Sequence, residues 1–280
     1  MKMPIKLNSL LLQEDVDPAG VILLRHQDKK ADPGRTPYKL WCEEKEAFER
    51  YQSIQSPGNR KKFSSNYWLS FVATPQGETM FVGLYTSRYC GLNETDLPWT
   101  SVNGSFYPTG SCDCYDLTLD KRLSDLSGRL FIEWGPGFRS WIQRAQRQNK
   151  DVIEVRPEFS EPEFPGFINF VKPLSEVESL PKSWEQVLSS SRGVYLLTCP
   201  HTKEQYVGSA YGEKGFWHRW MEYVGTGHGG NVALKSRELS DYQISILEVA
   251  GSAETTVDIL KMEALWKSKL QSQKMGLNRN

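Results

Sequence analysis

Gly193-Val194-Tyr195-Leu196-Leu197-Thr198 and Gln205-Tyr206-Val207-Gly208, separated by the polar run Cys199–Glu204, decide how the last third of this chain folds. Both are short, apolar and rich in β-formers, and the polar run between them predicts a hairpin. Downstream, Lys214–Tyr223 has the spacing of an amphipathic helix and Tyr242–Val249 reads as a third strand. Thr255–Leu270 is the longest helical pattern, with Val257, Leu260, Leu265 and Leu270 on its apolar side. The result is a small three-stranded antiparallel sheet flanked by helices.

Upstream of the hairpin, Pro157, Pro162, Pro165, Pro173 and Pro181 fall among many glutamates. Proline interrupts regular structure, so residues 157–181 read as a Pro-rich linker or an irregular packed segment. That divides the chain into a first domain over 1–156 and a second over 182–280. The first domain reads as mixed α and β. Leu40–Ile54 has helical spacing, and Trp68–Ala73 and Met80–Tyr85 form a hairpin across Thr74-Pro75-Gln76-Gly77-Glu78. Leu130–Trp134 and Val152–Val155 are further strand candidates, and Ser140–Gln148 suits a short helix. The fold class is α+β in two domains.

Composition narrows the class. Of 280 residues, 39% are hydrophobic and 24% charged, which excludes a disordered or coiled-coil chain. No apolar run reaches the ~18 residues that span a bilayer, so no membrane partner is expected. The apolar start is too short for a secretory h-region. Five cysteines without framework spacing fit a reducing cytoplasm. Cys112-x-Cys114 lacks a second ligand pair, so no zinc is assigned. Lysine plus arginine balance aspartate plus glutamate at 34 each, which argues weakly against a bulk polyanion binder but leaves room for a local basic groove.

The second domain carries an ordered set of motifs. Gly193-Val194-Tyr195 and Tyr206-Val207-Gly208 come first. Phe216-Trp217-His218-Arg219-Trp220, Leu260-Lys261-Met262-Glu263-Ala264-Leu265-Trp266 and Gly276-Leu277-Asn278 follow. In this order they resemble the GIY-YIG nuclease superfamily over about the last ninety residues. The resemblance implies a metal-dependent endonuclease that hydrolyses phosphodiester bonds, leaving 5′-phosphate and 3′-hydroxyl ends. It implies Tyr195, Tyr206, Arg219, Glu263 and Asn278 as the catalytic set, with Glu263 as metal ligand and Mg²⁺ or Mn²⁺ as cofactor. In some restriction enzymes of the family a histidine lies one turn after the arginine. Here that position is Tyr223, and a histidine follows later, in Gly227-His228-Gly229. Tyr223 and His228 are both candidates for moving the proton. For His228, the alternatives are a mobile loop residue and a phosphate contact or proton shuttle.

The chemistry of these residue types agrees. Phosphodiester hydrolysis needs an activated water, neutralised phosphoryl oxygens and help for the leaving oxygen. A carboxylate such as Glu263 is the ligand type Mg²⁺ prefers. Arg219 can fork onto a phosphate. A tyrosine beside a cation can serve as general base, for which Tyr206 is the choice with Tyr195 in support. Each residue also has a plain reading: strand aromatics for the tyrosines, a surface helix pair with Glu222 for Arg219, a solvated helix residue for Glu263, a frayed end for Asn278. All would have to hold together, in the order a nuclease needs.

The first domain is then the expected target-selecting element. Phe81-Val82-Gly83-Leu84-Tyr85 and Phe131-Ile132-Glu133-Trp134-Gly135 faintly resemble the PUA-like β-barrel readers, some of which hold a flipped, modified base in an aromatic pocket. Trp99, the first choice, and Trp134 are among the ring candidates and Asp96, Asn103 and Glu133 the polar ones, with core packing the plain alternative for any one ring. Lys235 and Arg237 are backbone-contact candidates, and Arg60-Lys61-Lys62 a basic cluster that reads first as solvated loop. The whole suggests duplex DNA as partner, a homodimer on DNA for double-strand breaks, and restriction of foreign or phage DNA. A structure- or RNA-directed nuclease and a non-catalytic reader are the alternatives.

Overall fold

The computed structural model describes residues 5–27, 35–98, 106–135, 140–226, 229 and 241–278. Trp99, Asn103, His228, Lys235 and Arg237 lie outside the described residues. The chain divides into two compact units, Met1–Pro162 and Glu163–Asn280. No helix among the described residues is long and apolar enough to cross a membrane.

The first unit is mixed α/β. Its helices are α1 (Leu7–Gln13), α2 (Pro37–Glu43) and α3 (Lys45–Ser53). Its strands are β1 (Val21–His26), β2 (Ile54–Gln55), β3 (Tyr67–Ala73), β4 (Thr79–Leu92), β5 (Leu97–Pro98), β6 (Phe106–Tyr107), β7 (Asp113–Asp120), β8 (Leu130–Ile132), β9 (Ile142–Arg144) and β10 (Val152–Val155). The main sheet runs β10-β8-β4-β3-β1-β9, with β7 also on β4 and β2 on β7. All six residues of β1 are buried, and it runs parallel to β3 with Ile22 opposite Trp68. A strand covered on both faces is expected to be continuously apolar, as Val21–Leu24 is. Leu23, Leu69, Phe71 and Phe81 pack on one face, and Ile22, Leu24, Trp68 and Tyr85 on the other.

The β3–β4 hairpin turns at Gly77, whose φ of +86° suits glycine. Leu40–Ile54 is two helices rather than one. Glu44 breaks it with non-helical φ, ψ of −144° and 78°, and both pieces lay aromatic side chains (Tyr38, Trp41 and Phe48) into one cluster with Val72 and Phe131. The Ser140–Gln148 helix is replaced by β9, antiparallel to β1 with Leu23 opposite Gln143. Pairing with a buried neighbouring edge satisfies backbone groups that local helix preference cannot outweigh. The β-barrel expected here is not what the pairing gives: among the described residues the end strands β10 and β9 do not pair with each other.

The second unit begins inside the segment expected as a linker. Phe170, Leu174, Val177 and Leu180 are buried in its core, and Val171–Pro173 forms β11. The proline-rich stretch is therefore packed from Glu163 onward. With β12 (Gly193–Thr198), β13 (Gln205–Ala210) and β14 (Gln243–Val249) it makes a four-stranded antiparallel sheet, order β11-β14-β12-β13, in place of the expected three. A three-residue strand among prolines has no alternating pattern to reveal it. The helices are α4 (Lys182–Ser190), α5 (Gly215–Thr226), α6 (Thr256–Lys269) and α7 (Ser272–Met275).

Helix α5 buries Phe216, Trp220 and Tyr223, spaced i, i+4 and i+7, on one stripe. Trp220 stacks on Phe170, with centroids 5.3 Å apart at 14°, and meets Tyr195 edge-on. Trp220→Ala is expected to destabilise the unit by about 3–5 kcal/mol in denaturant unfolding. Trp220→Phe, which also removes an indole N–H lacking an acceptor among the described residues, is expected to cost less.

Helix α6 starts with a capping box between Thr255 and Asp258. Its expected apolar side is corrected. Val257, Leu260 and Leu265 are 60%, 46% and 52% exposed, and only Ile259 is buried. The side turned to the sheet carries Glu263, which bonds Ser209 on β13, and Trp266, whose indole donates to Glu248 on β14 at 2.7 Å. The polar side of the helix thus meets the sheet, and Val257, Leu260 and Leu265 face outward.

Candidate active site

The two motif glycines have steric reasons. Gly208 lies opposite Tyr195 in the β12–β13 register, and the Tyr195 ring lies over it. A Cβ there would come within 2.6 Å of the ring carbon Cζ. Gly193 has φ +151°, and a Cβ would meet the Glu248 carbonyl at 2.1 Å. Glycine thus lets Tyr195 fold flat against β13 and lets β12 press against β14.

Tyr195 is fully buried. Its hydroxyl lies 3.0 Å from that of Tyr223 on α5. Arg219, one turn before Tyr223, donates its Nε to Tyr195 Oη at 3.2 Å, and an Nη to Tyr223 Oη at 3.4 Å. Its other Nη donates to Glu222 at 2.5 Å. The guanidinium lies 5.0 Å from the Tyr223 ring centroid. Burial raises the Tyr195 pKa, against the opposing charge of Arg219, so the phenol stays protonated. Burial raises the Tyr223 pKa likewise. These two tyrosines form a neutral bracket that aims Arg219.

Arg219 faces a cavity of about 370 Å³, whose walls also carry Tyr206, Ser209, His218, Glu222 and Glu263. Tyr206 is half-buried on β13, one strand over from Tyr195. Glu263 reaches the cavity from α6. One carboxylate oxygen accepts from Ser209 Oγ, and the other pairs with Lys267 Nζ at 2.6 Å. The arrangement sets a carboxylate, a guanidinium and a phenol around space for a phosphate-sized group.

Asn278 does not line this cavity. It is buried, donates Nδ2 to the Val207 carbonyl at 2.7 Å and accepts from the Val207 amide at 2.8 Å. The side chain completes the ladder of β13 beside Tyr206, so it positions that strand. The site therefore gathers Tyr206, Arg219 and Glu263 at one surface, with Tyr195 and Tyr223 behind Arg219 and Asn278 behind Tyr206.

Sequence reasoning missed Ser209, His218 and Lys267. Lys267 was readable as the i+4 partner of Glu263, and His218 stands inside the arginine motif. Ser209 has no local signal, because its role comes from α6 crossing β13.

A divalent metal fits the donor set in one way. Among the described residues no group of three His, Cys, Asp or Glu gathers to hold an ion. Glu263 borders the cavity with the Ser209 hydroxyl beside it, while the cavity's other carboxylate, Glu222, is engaged by Arg219. That suits a hydrated Mg²⁺, which keeps several waters and takes one or two protein carboxylates plus phosphate oxygens.

In the first unit, Trp134 is 5% exposed and packs in the core, its ring centroid 6.1 Å from that of Phe71. Lys150 Nζ sits 5.0 Å from its ring. Its small exposure leaves little surface on which a flipped base could stack. Glu133 accepts from the Gly135 amide, and Asp96 accepts from Thr109.

No family model and no curated protein matches the chain. Among solved structures, it is similar to the catalytic domain of the homing endonuclease I-TevI, at 25% sequence identity. The likeness covers 31% of this chain and 95% of that one, with a TM-score of 0.26.

Proposed function

We propose that Glu163–Asn280 is a metal-dependent endonuclease of the GIY-YIG type that cuts DNA phosphodiesters. The observation that carries this reading is the convergence of Tyr206, Arg219 and Glu263 on one cavity, with Arg219 held by two buried phenols. Arg219 pairs with the phosphoryl oxygens, where charge grows in the transition state. Tyr206 takes up the proton of the attacking water as its own phenolic proton passes to solvent. The new bond joins water oxygen to phosphorus, and the bond from phosphorus to the 3′ oxygen breaks. That leaves a 5′-phosphate and, once the oxygen is protonated, a 3′-hydroxyl. Glu263, with the Ser209 hydroxyl beside it, would hold Mg²⁺ or Mn²⁺, which would supply Lewis-acid neutralisation of the phosphoryl group. Lys267 Nζ, paired with Glu263, would compete with such an ion for the carboxylate.

The first unit supplies target selection by sequence or base modification, and the protein serves restriction of foreign or phage DNA. One site cuts one strand, so a double-strand break takes a homodimer on DNA or two encounters. The test is incubation with Mg²⁺ and matched duplexes carrying plain, methylated, hydroxymethylated or glucosylated cytosine, beside RNA and branched substrates. Cutting confined to modified duplexes supports base reading. Cutting confined to RNA or branched substrates overturns the assignment of duplex DNA.

A further inference from the structure

A second strongly charged feature lies in the first unit, within residues the nuclease chemistry does not use. A cleft of about 640 Å³ is lined by Lys61 and Lys62 from one part of the chain and by Arg144, Arg147 and Lys150 from another. Gln143, Gln148 and Ser140 add to its polar lining, and among the described residues no carboxylate is part of it. The unit as a whole is neutral, with 21 basic and 21 acidic residues over 1–162. The cleft therefore concentrates charge that the rest of the unit balances.

Among the described residues none of these five cations forms an ion pair. Lys62 donates to Asn59, and Lys150 donates to the Trp134 carbonyl at 2.6 Å. Lys150 is the telling one. It is only 8% exposed, and burial lowers its pKa, with Glu133 the one opposing charge. A buried ammonium with no ion-pair partner is costly to fold, and an anion in the cleft would offset that cost. β9 places Arg144 there, and the turn after it places Arg147, so the pairing with β1 is what builds this part of the lining.

We propose that this cleft grips the phosphate backbone of duplex DNA, giving the protein a second nucleic-acid contact apart from the cutting site. The choice of DNA as the polyanion rests on the nuclease reading. The chemistry of the cleft fits a polyphosphate chain better than a single phosphate. Its cations come from two separate elements around a wide opening, and a duplex presents one charge per ~1.7 Å of axis. The amides and the hydroxyl suit phosphate and sugar contacts that position DNA without reading sequence. None of the exposed large hydrophobic side chains lines it, as a membrane-seated surface would require.

The test is fluorescence anisotropy of the full chain with a labelled duplex in EDTA, over a series of salt concentrations. The variant Lys61→Ala/Arg144→Ala/Arg147→Ala changes three exposed side chains and leaves Lys150 in place. Its Kd is expected to rise by about tenfold or more, and the salt slope to fall by roughly 0.9 for each phosphate the variant no longer neutralises. The charge-keeping variant Lys61→Arg/Arg144→Lys/Arg147→Lys is expected to bind close to wild type, which separates lost charge from lost fold. An alanine variant with unchanged Kd and slope overturns the proposal. So does one that loses binding to phosphatidylglycerol vesicles while holding duplex normally. If the alanine variant binds normally and the wild type still cuts, the cleft fails and the nuclease reading stands. If the cleft governs duplex binding but no divalent metal yields cutting, the nuclease reading fails and the cleft stands.

Discussion

Arg219→Lys is expected to cut duplex DNA about 10³-fold more slowly than wild type in single-turnover assays, with folding intact. An arginine that neutralises a transferring phosphoryl group is worth about 10³–10⁵ in rate, and lysine replaces its planar fork with a point charge. The structure adds a specific reason. The Arg219 guanidinium is aimed through Nε to Tyr195 and through Nη to Tyr223. A lysine has one nitrogen and cannot hold both phenols while facing phosphate. Because burial keeps these phenols protonated, they orient the charge without cancelling it. A charge-only role for Arg219 predicts near-full activity in the lysine variant, and that result would exclude the bracket as its positioning device. Thermal unfolding close to wild type would show that the defect lies in the chemical step.

Tyr206→Phe is expected to lower cleavage by about 10²–10⁴-fold, the range of a lost general base, while duplex affinity stays near wild type. The substitution removes one oxygen and keeps the ring in place on β13. The partner substitution Tyr195→Phe leaves the cavity lining untouched but removes the acceptor of Arg219 Nε. The two variants therefore separate direct proton transfer from positioning. A pH–rate profile altered in Tyr206→Phe and only lowered in Tyr195→Phe is the expected pattern. The reverse would place the base on the buried tyrosine.

Much of the second unit was legible because its elements are local. The hairpin strands, the arginine helix and the capped long helix each carry their own period or punctuation, and the motif glycines mark close backbone approach. What was not legible depends on partners distant in sequence. β9 reads as a helix until β1 offers an edge, and β11 is three residues among prolines. The exposed Val257, Leu260 and Leu265 look like a core stripe because periodicity finds an apolar face without saying which face meets the sheet. The same limit hid Ser209, which gains its role when α6 brings Glu263 across β13. It also hid the basic cleft, whose cations come from separate parts of the sequence, at 61–62 and 144–150.

The most direct measurement is nicking of supercoiled plasmid in Mg²⁺ by wild type and by Glu263→Gln, with duplex binding recorded for both. Glutamine keeps the size of the side chain and removes the charge that would hold the ion, while Ser209 and Lys267 remain beside it. Metal neutralisation of a phosphoryl oxygen is worth several kcal/mol, so a loss of roughly 10³-fold or more with binding retained is the result predicted here. Equal nicking by the two proteins, each free of contaminating nuclease, would contradict the assignment of Glu263 and with it the cavity as the cutting site.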